Sequence, residues 1–288
     1  MHFRIQVVAV SDDGTEHLQE IADIMRAEAT LETLGLTLEE SKQLLQQLQQ
    51  TIIDQQVAAY LNGQRACPHC GKNRRLKQSE TAPFRTLFGL VSVLNPRWHQ
   101  CDCQPHTNKT FRPLTALLPE RTSPELLYLE TKWASLASYG VSAKLLHEVL
   151  PLDQKHSEVS VRNHTLRAAR RNEQAMGAEQ AMFVEGSQAD QNRLPIPDGP
   201  LSVGLDGGIV RARRGTTGAK TGNLFEVIAG KSILSFRRDD GEDVPASSKC
   251  FALVRSFDKK PKRRLFDLLQ SQGMQANQQV TFFSALST

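Results

Sequence analysis

The sequence predicts a multidomain α+β protein, and three observations support this fold class. Two closely spaced cysteine pairs lie in a basic stretch of short, turn-bounded strand patterns. Apolar residues then recur at helical spacing from 124 to 171, and from 201 onwards the pattern changes to apolar runs typical of strands. The 288 residues are enough for two or three domains.

The first segment, residues 1–63, is expected to form a strand followed by a helical region. FRIQVVAV, at 3–10, is typical of a strand and is followed by the turn sequence SDDG. From Glu16 to about Gln50 the apolar residues recur at helical spacing, which favours an antiparallel helix pair or coiled coil. The first of these apolar residues are Leu18, Ile21, Ile24 and Met25. Such a helix pair is a candidate dimerisation element.

The second segment, residues 64–112, holds four of the five cysteines in two turns, CPHCG and CDC. Two such turns can direct four sulfurs at one ion, and an all-sulfur tetrahedral set is one that Zn²⁺ prefers. We therefore expect a zinc-ribbon-like module with a structural zinc ion, rather than four free buried cysteines. The expected ligands are Cys67, Cys70, Cys101 and Cys103. Because the second pair is spaced so tightly, His99 or His106 is an alternative to one of its sulfurs.

Charge is distributed unevenly between these two segments. Residues 1–64 carry a net charge of −7, whereas residues 65–112 carry +7. An acidic segment followed by a basic one suggests a polyanion-binding unit, most often for nucleic acid, with a solvated basic surface as the alternative. The cations expected to meet phosphates follow the first cysteine turn directly and are Lys72, Arg74 and Arg75.

The third segment, residues 113–185, begins with a Pro-rich stretch and is expected to become a helical DNA-binding domain. Helices at 124–138, 142–150 and 159–171 suggest a helix-turn-helix-like arrangement, with Gly140 in a left-handed turn and Ser142 capping the second helix. The third helix is rich in residue types that bond bases and phosphates, although an ordinary three-helix bundle with a solvated basic face is the alternative. Its candidate DNA contacts are Arg162, Asn163, His164, Arg167, Arg170 and Arg171.

A linker at 186–200 is followed by a domain at 201–288 with an α/β pattern. Strands are predicted at 201–207, 223–233, 250–257 and 279–284, with a helix at 262–273 before the last strand. Cys250 stands apart from the other cysteines, and its apolar strand suggests a small core residue.

LSVGLDGGIVRAR, which begins at Leu201, is the sharpest catalytic signal because it places Asp206 in an apolar strand. A buried carboxylate is costly unless it is compensated, so metal ligation is one interpretation, and capping of a turn before Gly207 is the other. The Gly-rich segment 215–222 is expected to be a hairpin that lies against DNA, with basic flanks that include Arg211 and Arg213.

The order of these modules resembles insertion-sequence transposases of the ISKra group, which belong to the DDE, ribonuclease-H-like class. The resemblance runs along almost the whole chain. The stretches that carry it are LETLGLTLEE, CPHCGKNRRLK, FRTLFGLVSV, PRWHQCDC, LLPERTSPELLYLETKWASLASYG, VRNHTLRAARR and DGPLSVGLDGGIVRAR.

The resemblance implies a bacterial, cytoplasmic, nucleoid-associated protein that binds double-stranded transposon-end DNA, with homo-oligomers as further partners and no membrane association. It implies a ribonuclease-H-like core in which three carboxylates hold two Mg²⁺ ions for DNA cleavage and strand transfer. Asp206 matches the first carboxylate, on the first strand. The second should follow the stretch matching VTFFS, but here ALST follows, so we expect an incomplete, C-terminally truncated and inactive core. The alternatives are a non-catalytic DNA-binding regulator and an inert remnant.

Overall fold

The computed structural model describes residues 1–11, 14–28, 30–103, 108–153, 156–184, 186–195, 197, 201–211, 224–233, 236–239, 242–245 and 248–284. The chain is a mixed α+β protein that divides into two compact units, residues 1–170 and residues 171–288. Within the described ranges, no helix combines the length and the apolar character that crossing a membrane requires.

The first unit begins with a β-hairpin. Strand β1, His2–Val10, pairs antiparallel with strand β2, Glu16–Met25. The expected helix from Glu16 is therefore wrong over this range. Leu18, Ile21 and Ile24 fit helical spacing, but β1 supplies a pairing partner along the full length of β2, and backbone hydrogen bonding to that partner overrides a weak local preference.

Helix α1, Leu38–Arg65, follows the hairpin and is 28 residues long. It begins with a capping box in which the Thr37 hydroxyl accepts from the Glu40 backbone N–H, and the Glu40 carboxylate accepts from the Thr37 N–H. Glu40 also receives a two-pronged hydrogen bond from Arg26 at 2.7 Å, which ties the end of the hairpin to the start of α1.

Five short strands form the ribbon that follows α1. They are β3 Leu76–Gln78, β4 Thr81–Thr86, β5 Gly89–Leu94, β6 Arg97–His99 and β7 Thr110–Phe111. β4 and β5 form one antiparallel pair, and β3, β6 and β7 form a small three-stranded sheet. The alternating buried residues Val91 and Val93 of β5 pack with Val57 and Leu61 of α1. One core is thus shared by α1 and the ribbon.

Four helices continue the chain: α2 Leu114–Leu117, α3 Pro124–Ala134, α4 Tyr139–Val149 and α5 Glu158–Ala175. The expected helix-breaking role of Gly140 is wrong, because α4 begins at Tyr139 and Gly140 lies inside it. Ser138 is the N-cap, and its hydroxyl accepts from the Val141 N–H. Ser142, expected as the cap, is buried one turn later, where its hydroxyl donates to the Ser138 carbonyl.

The second unit contains a four-stranded sheet with the strand order β12-β9-β8-β13. A short helix, α6 Gln188–Gln191, precedes it. The strands are β8 Leu201–Arg211, β9 Leu224–Ile233, β12 Ser248–Val254 and β13 Val280–Ser284, and β10 Phe236–Asp239 and β11 Glu242–Pro245 form a separate hairpin. β8, β9 and β12 are antiparallel neighbours, whereas β13 runs parallel to β8 after helix α7, Pro261–Gln270. Leu201 and Val203 pack against Leu269 of α7.

Candidate metal centre and nucleic-acid interface

The four cysteines of the ribbon converge as their spacing predicts. The Sγ atoms of Cys67, Cys70, Cys101 and Cys103 all lie within 4.8 Å of one another. Cys67 Sγ is 3.5 Å from Cys103 Sγ, and Cys70 Sγ is 3.3 Å from Cys101 Sγ. A disulfide would require about 2.0 Å, so these are four thiols gathered at one point. Four sulfurs at such separations can surround a single metal ion, whose sulfur ligands lie about 2.3 Å from it.

Local backbone structure fixes the first cysteine turn. α1 ends at Arg65, and Cys67 follows two residues later, with its N–H donating to the Lys72 carbonyl at 2.9 Å. The Gly71 N–H donates back to the Cys67 carbonyl, and Gly71 closes the turn with a φ of +70°. That left-handed conformation favours glycine, which explains the CPHCG sequence. The helix and the turn together place two sulfurs at the end of the ribbon.

Within the cluster, the pKa values of Cys67 and Cys103 are shifted in opposite directions. Backbone N–H groups of His69 and Cys70 stabilise the Cys67 thiolate and lower the pKa of Cys67 to about 6. Hydrogen bonds with Cys101 and Cys67 favour the protonated Cys103 thiol and raise the pKa of Cys103 to about 12. A bound cation would favour the ionised form of the Cys103 sulfur.

Of the alternative ligands, His99 lies in β6 and is not part of the sulfur cluster, and His106 lies outside the described residues. Cys250 was expected in a core but is exposed on β12. Phe251 and Leu253 of this strand are half-buried, and the sheet alternation turns Cys250 and Ala252 outwards.

The three cations after the first cysteine turn differ in their surroundings. Lys72 and Arg75 are exposed. Arg74 is half-buried instead: its Nη1 donates to the Gln64 carbonyl at 2.6 Å, and its guanidinium lies 4.8 Å from the centre of the Phe111 ring. Arg74 thus braces the end of α1 against the ribbon, whereas Lys72 and Arg75 remain available to an anion.

The expected recognition helix, α5, presents most of its candidate DNA contacts to solvent. Five of the six are exposed, namely Arg162, Asn163, Arg167, Arg170 and Arg171. The spacing of Asn163, Arg167 and Arg170 by four and then three residues places them on one face of the helix. The opposite side carries Val161, which is fully buried.

His164, the sixth candidate, points into the helical region. Its Nδ1 lies 2.5 Å from Oε2 of Glu130, and its side chain is only 13% exposed. We therefore exclude His164 from the exposed DNA-facing set.

Glu130 of α3 is the residue that sequence reasoning missed. Its side chain is fully buried, and its carboxylate accepts hydrogen bonds from His164 of α5 and from His156 in the preceding loop, at 2.5 and 2.6 Å. His147 of α4 donates from Nε2 to the His156 carbonyl at 2.7 Å. One carboxylate thus joins α3 to the start of α5. An isolated glutamate inside an amphipathic helix gives no sequence signal for this role.

Asp206 lies in β8 but is exposed, so the expected turn cap and the expected burial both need correction, whereas its role as a metal ligand stays a prediction. The strand continues through Gly207 and Gly208 to Arg211, so Asp206 does not cap a turn. The expected burial does not hold either, because Leu201 and Val203 occupy the face packed on α7, and Asp206 lies on the other face. Because Asp206 is exposed, its carboxylate does not need a metal ion to offset the cost of burial.

Asp206 borders an open cavity of about 830 Å³ that is also lined by Glu226 and Ser284. The parallel pairing of β13 with β8 puts Ser284 beside Leu205, one residue before Asp206. Glu226 is held by Arg255, whose Nη1 donates to it at 2.9 Å. Arg211 is exposed at the end of β8. Arg213, the Gly-rich segment 215–222 and the final residues 285–288 lie outside the described residues.

Comparisons with known families and with curated proteins found no relative of this chain. No model of a known protein family matches the sequence, and no curated protein resembles it significantly. The family expected from the sequence motifs therefore stays a prediction.

Proposed function

We propose that this chain is a zinc-containing DNA-binding protein of the transposase type that its sequence resembles. The observation that carries the proposal is the convergence of four sulfurs in a basic module that also exposes Lys72 and Arg75. Zn²⁺ held by the four cysteines would neutralise their thiolates and fix the ribbon, which is a structural role because no ligand position stays open.

The exposed face of α5 is the second part of the proposed DNA surface. Asn163, Arg167 and Arg170 project from one side of this helix, while Val161 and His164 hold the other side against the helical region. Arg and Asn side chains on one helix face suit bidentate contacts to guanine and adenine, and a major groove admits one helix. Arg162 and Arg171 flank this face and would meet phosphates.

A catalytic function depends on groups in addition to Asp206. Two Mg²⁺ ions in a nuclease core need several carboxylates. Among the described residues, the other carboxylate that lines the Asp206 cavity is Glu226, which is paired with Arg255. The position of Asp206 beside the carboxyl end of β13 suits the first carboxylate of such a core. The second candidate is a non-catalytic DNA-binding regulator. It is favoured because the Glu226 carboxylate is already paired with Arg255.

Band-shift titration of the full chain tests DNA binding, with the end sequences of the encoding element against scrambled duplex at two salt concentrations. We expect tighter binding to the ends, and we expect Arg167→Ala to cost about 1 to 3 kcal/mol of binding free energy on the end sequences and to reduce the preference for them over scrambled duplex. Arg193→Ala is the matched control, since Arg193 is exposed and lies outside the proposed surface. Equal binding by both variants and the parent would contradict the proposal.

Nicking assays on the same duplexes separate the two candidate functions. Mg²⁺-dependent cleavage that disappears in Asp206→Ala would establish the transposase chemistry. Specific binding without cleavage would establish the regulator. Because Asp206 is exposed, its replacement should change the free energy of unfolding by less than about 0.5 kcal/mol, so lost cleavage would not reflect lost folding.

A further inference from the structure

In the part of the chain that the structure describes, no strand pairs with the outer edge of β1. Among the described residues, β1 and β2 form a sheet of only two strands, and β1 extends for nine residues. A two-stranded hairpin is only marginally stable in water, and a long edge strand is a template for pairing with another strand. The outer edge of β1 is therefore a candidate site for pairing with another strand.

The two edges of the hairpin differ in charge. β2 carries three acidic residues, Glu16, Glu20 and Asp23, and charged side chains are a common means of protecting an edge from pairing. β1 carries Arg4 near its start, and from Ile5 to Val10 it contains no charged residue and no proline. Arg4 is also neutralised, because its Nε lies 3.2 Å from the Glu20 carboxylate. The edge of β1 is therefore the unprotected one.

Apolar surface is concentrated around the same strand. Phe3, Val8 and Val10 of β1 are 50%, 48% and 64% exposed. A largely apolar cavity of about 880 Å³ lies against β1, where Phe3 and Leu34 are among the lining residues. A strand paired at this edge would bring its own side chains beside Phe3, Val8 and Val10 and reduce their exposure.

We propose that β1 pairs antiparallel with β1 of a second copy of this chain, which gives a continuous four-stranded sheet across a two-fold axis. Full overlap of a strand that runs from His2 to Val10 places its middle residue, Gln6, opposite the same residue of the second copy. Arg4 then lies opposite Val8, so no like charges face each other. Pairing through β2 would instead gather six carboxylates along one seam, so the charge pattern selects β1.

The matched pair Gln6→Lys and Gln19→Lys tests this interface. Both glutamines are exposed in the hairpin, but Gln6 lies in β1 and Gln19 in β2. Gln6 is paired with Glu20, so a lysine there gains an opposite charge within its own hairpin and should not unfold it. In the dimer, however, Gln6→Lys would bring two lysines face to face.

Sedimentation equilibrium of the full-length protein over a range of micromolar concentrations measures the effect. We expect the parent chain and Gln19→Lys to dimerise with similar dissociation constants, and we expect Gln6→Lys to raise that constant by about tenfold. Val8→Lys should act in the same direction, and circular dichroism verifies that each variant is folded. A parent chain that is monomeric throughout, or equal dissociation constants for Gln6→Lys and Gln19→Lys, would overturn the proposal.

Discussion

Glu130 of α3 accepts hydrogen bonds from two histidines of the helical region through one buried carboxylate. Its replacement by alanine leaves the buried imidazoles of His156 and His164 without their acceptor, so we expect Glu130→Ala to lower the free energy of unfolding by about 3 kcal/mol. Glu130→Gln keeps the volume and one acceptor oxygen, and should cost less. Urea unfolding of both variants measures the difference, with Glu148→Ala, at an exposed site on α4, as a control expected within about 0.5 kcal/mol of the parent.

The same residue predicts an acid limit to stability. Burial alone would raise the pKa of Glu130, but hydrogen bonds from His156 and His164 lower it, and the net pKa lies below its ordinary value of 4.5. A carboxyl pKa that is lower in the folded state contributes stability above the unfolded pKa, and this contribution disappears as the pH falls through the folded pKa. Urea midpoints between pH 7 and pH 3 should therefore fall less for Glu130→Gln than for the parent, and parallel curves would contradict this.

Residue-scale prediction from sequence succeeded where spacing itself encodes the chemistry. The two cysteine turns identified four sulfurs that do converge. Prediction failed where the deciding partner is distant in sequence. His164 resembled a DNA contact because its neighbours are exposed cations, but Glu130, 34 residues earlier, draws it inwards. A pattern within one helix carries no information about such a partner.

At the scale of elements, the start of α4 offers a direct test of helix capping. The Ser138 hydroxyl accepts from the Val141 N–H, so Ser138→Ala should cost about 1 kcal/mol of unfolding free energy. Ser138→Asn supplies another side-chain acceptor and should retain most of that stability. Chemical denaturation compares the two, and a loss for asparagine as large as for alanine would show that the cap does not depend on a side-chain acceptor.

The elements of the second unit were the easiest to predict, and β2 was the hardest. The predicted strands are apolar runs separated by polar or Gly-rich segments, and β8, β9, β12, β13 and α7 lie close to their predicted ranges, whereas β10 and β11 were not predicted. β2 instead has Leu18, Ile21 and Ile24 at a spacing that also fits a helix. The pairing of β2 with β1 decides its conformation, and a local periodicity does not reveal that pairing.

At the scale of the whole molecule, the two units contain separate hydrophobic cores. One joins α1 to the ribbon through Val57, Leu61, Val91 and Val93. The other joins β8 to α7. The cysteine cluster belongs to the first unit, because Cys67 follows the end of α1 by two residues and the second cysteine pair follows β6. Metal binding and the stability of the first core should therefore be linked, while the core of the second unit should be independent of the metal.

Cys70→Ser tests this link, with Cys250→Ser as a control in which the same substitution is made at an exposed cysteine outside the cluster. If zinc is bound by the four sulfurs, elemental analysis should find about one zinc per parent chain and per Cys250→Ser chain, and much less for Cys70→Ser.

Hydrogen exchange should accelerate in the last turns of α1 and in β5 of Cys70→Ser, because the ribbon loses the ion that joins its two cysteine turns. Exchange in β8 and β9 should stay unchanged in both variants, since their core lies in the other unit. Full zinc content in Cys70→Ser would contradict the four-sulfur site, and accelerated exchange in β8 and β9 would contradict the independence of the two cores.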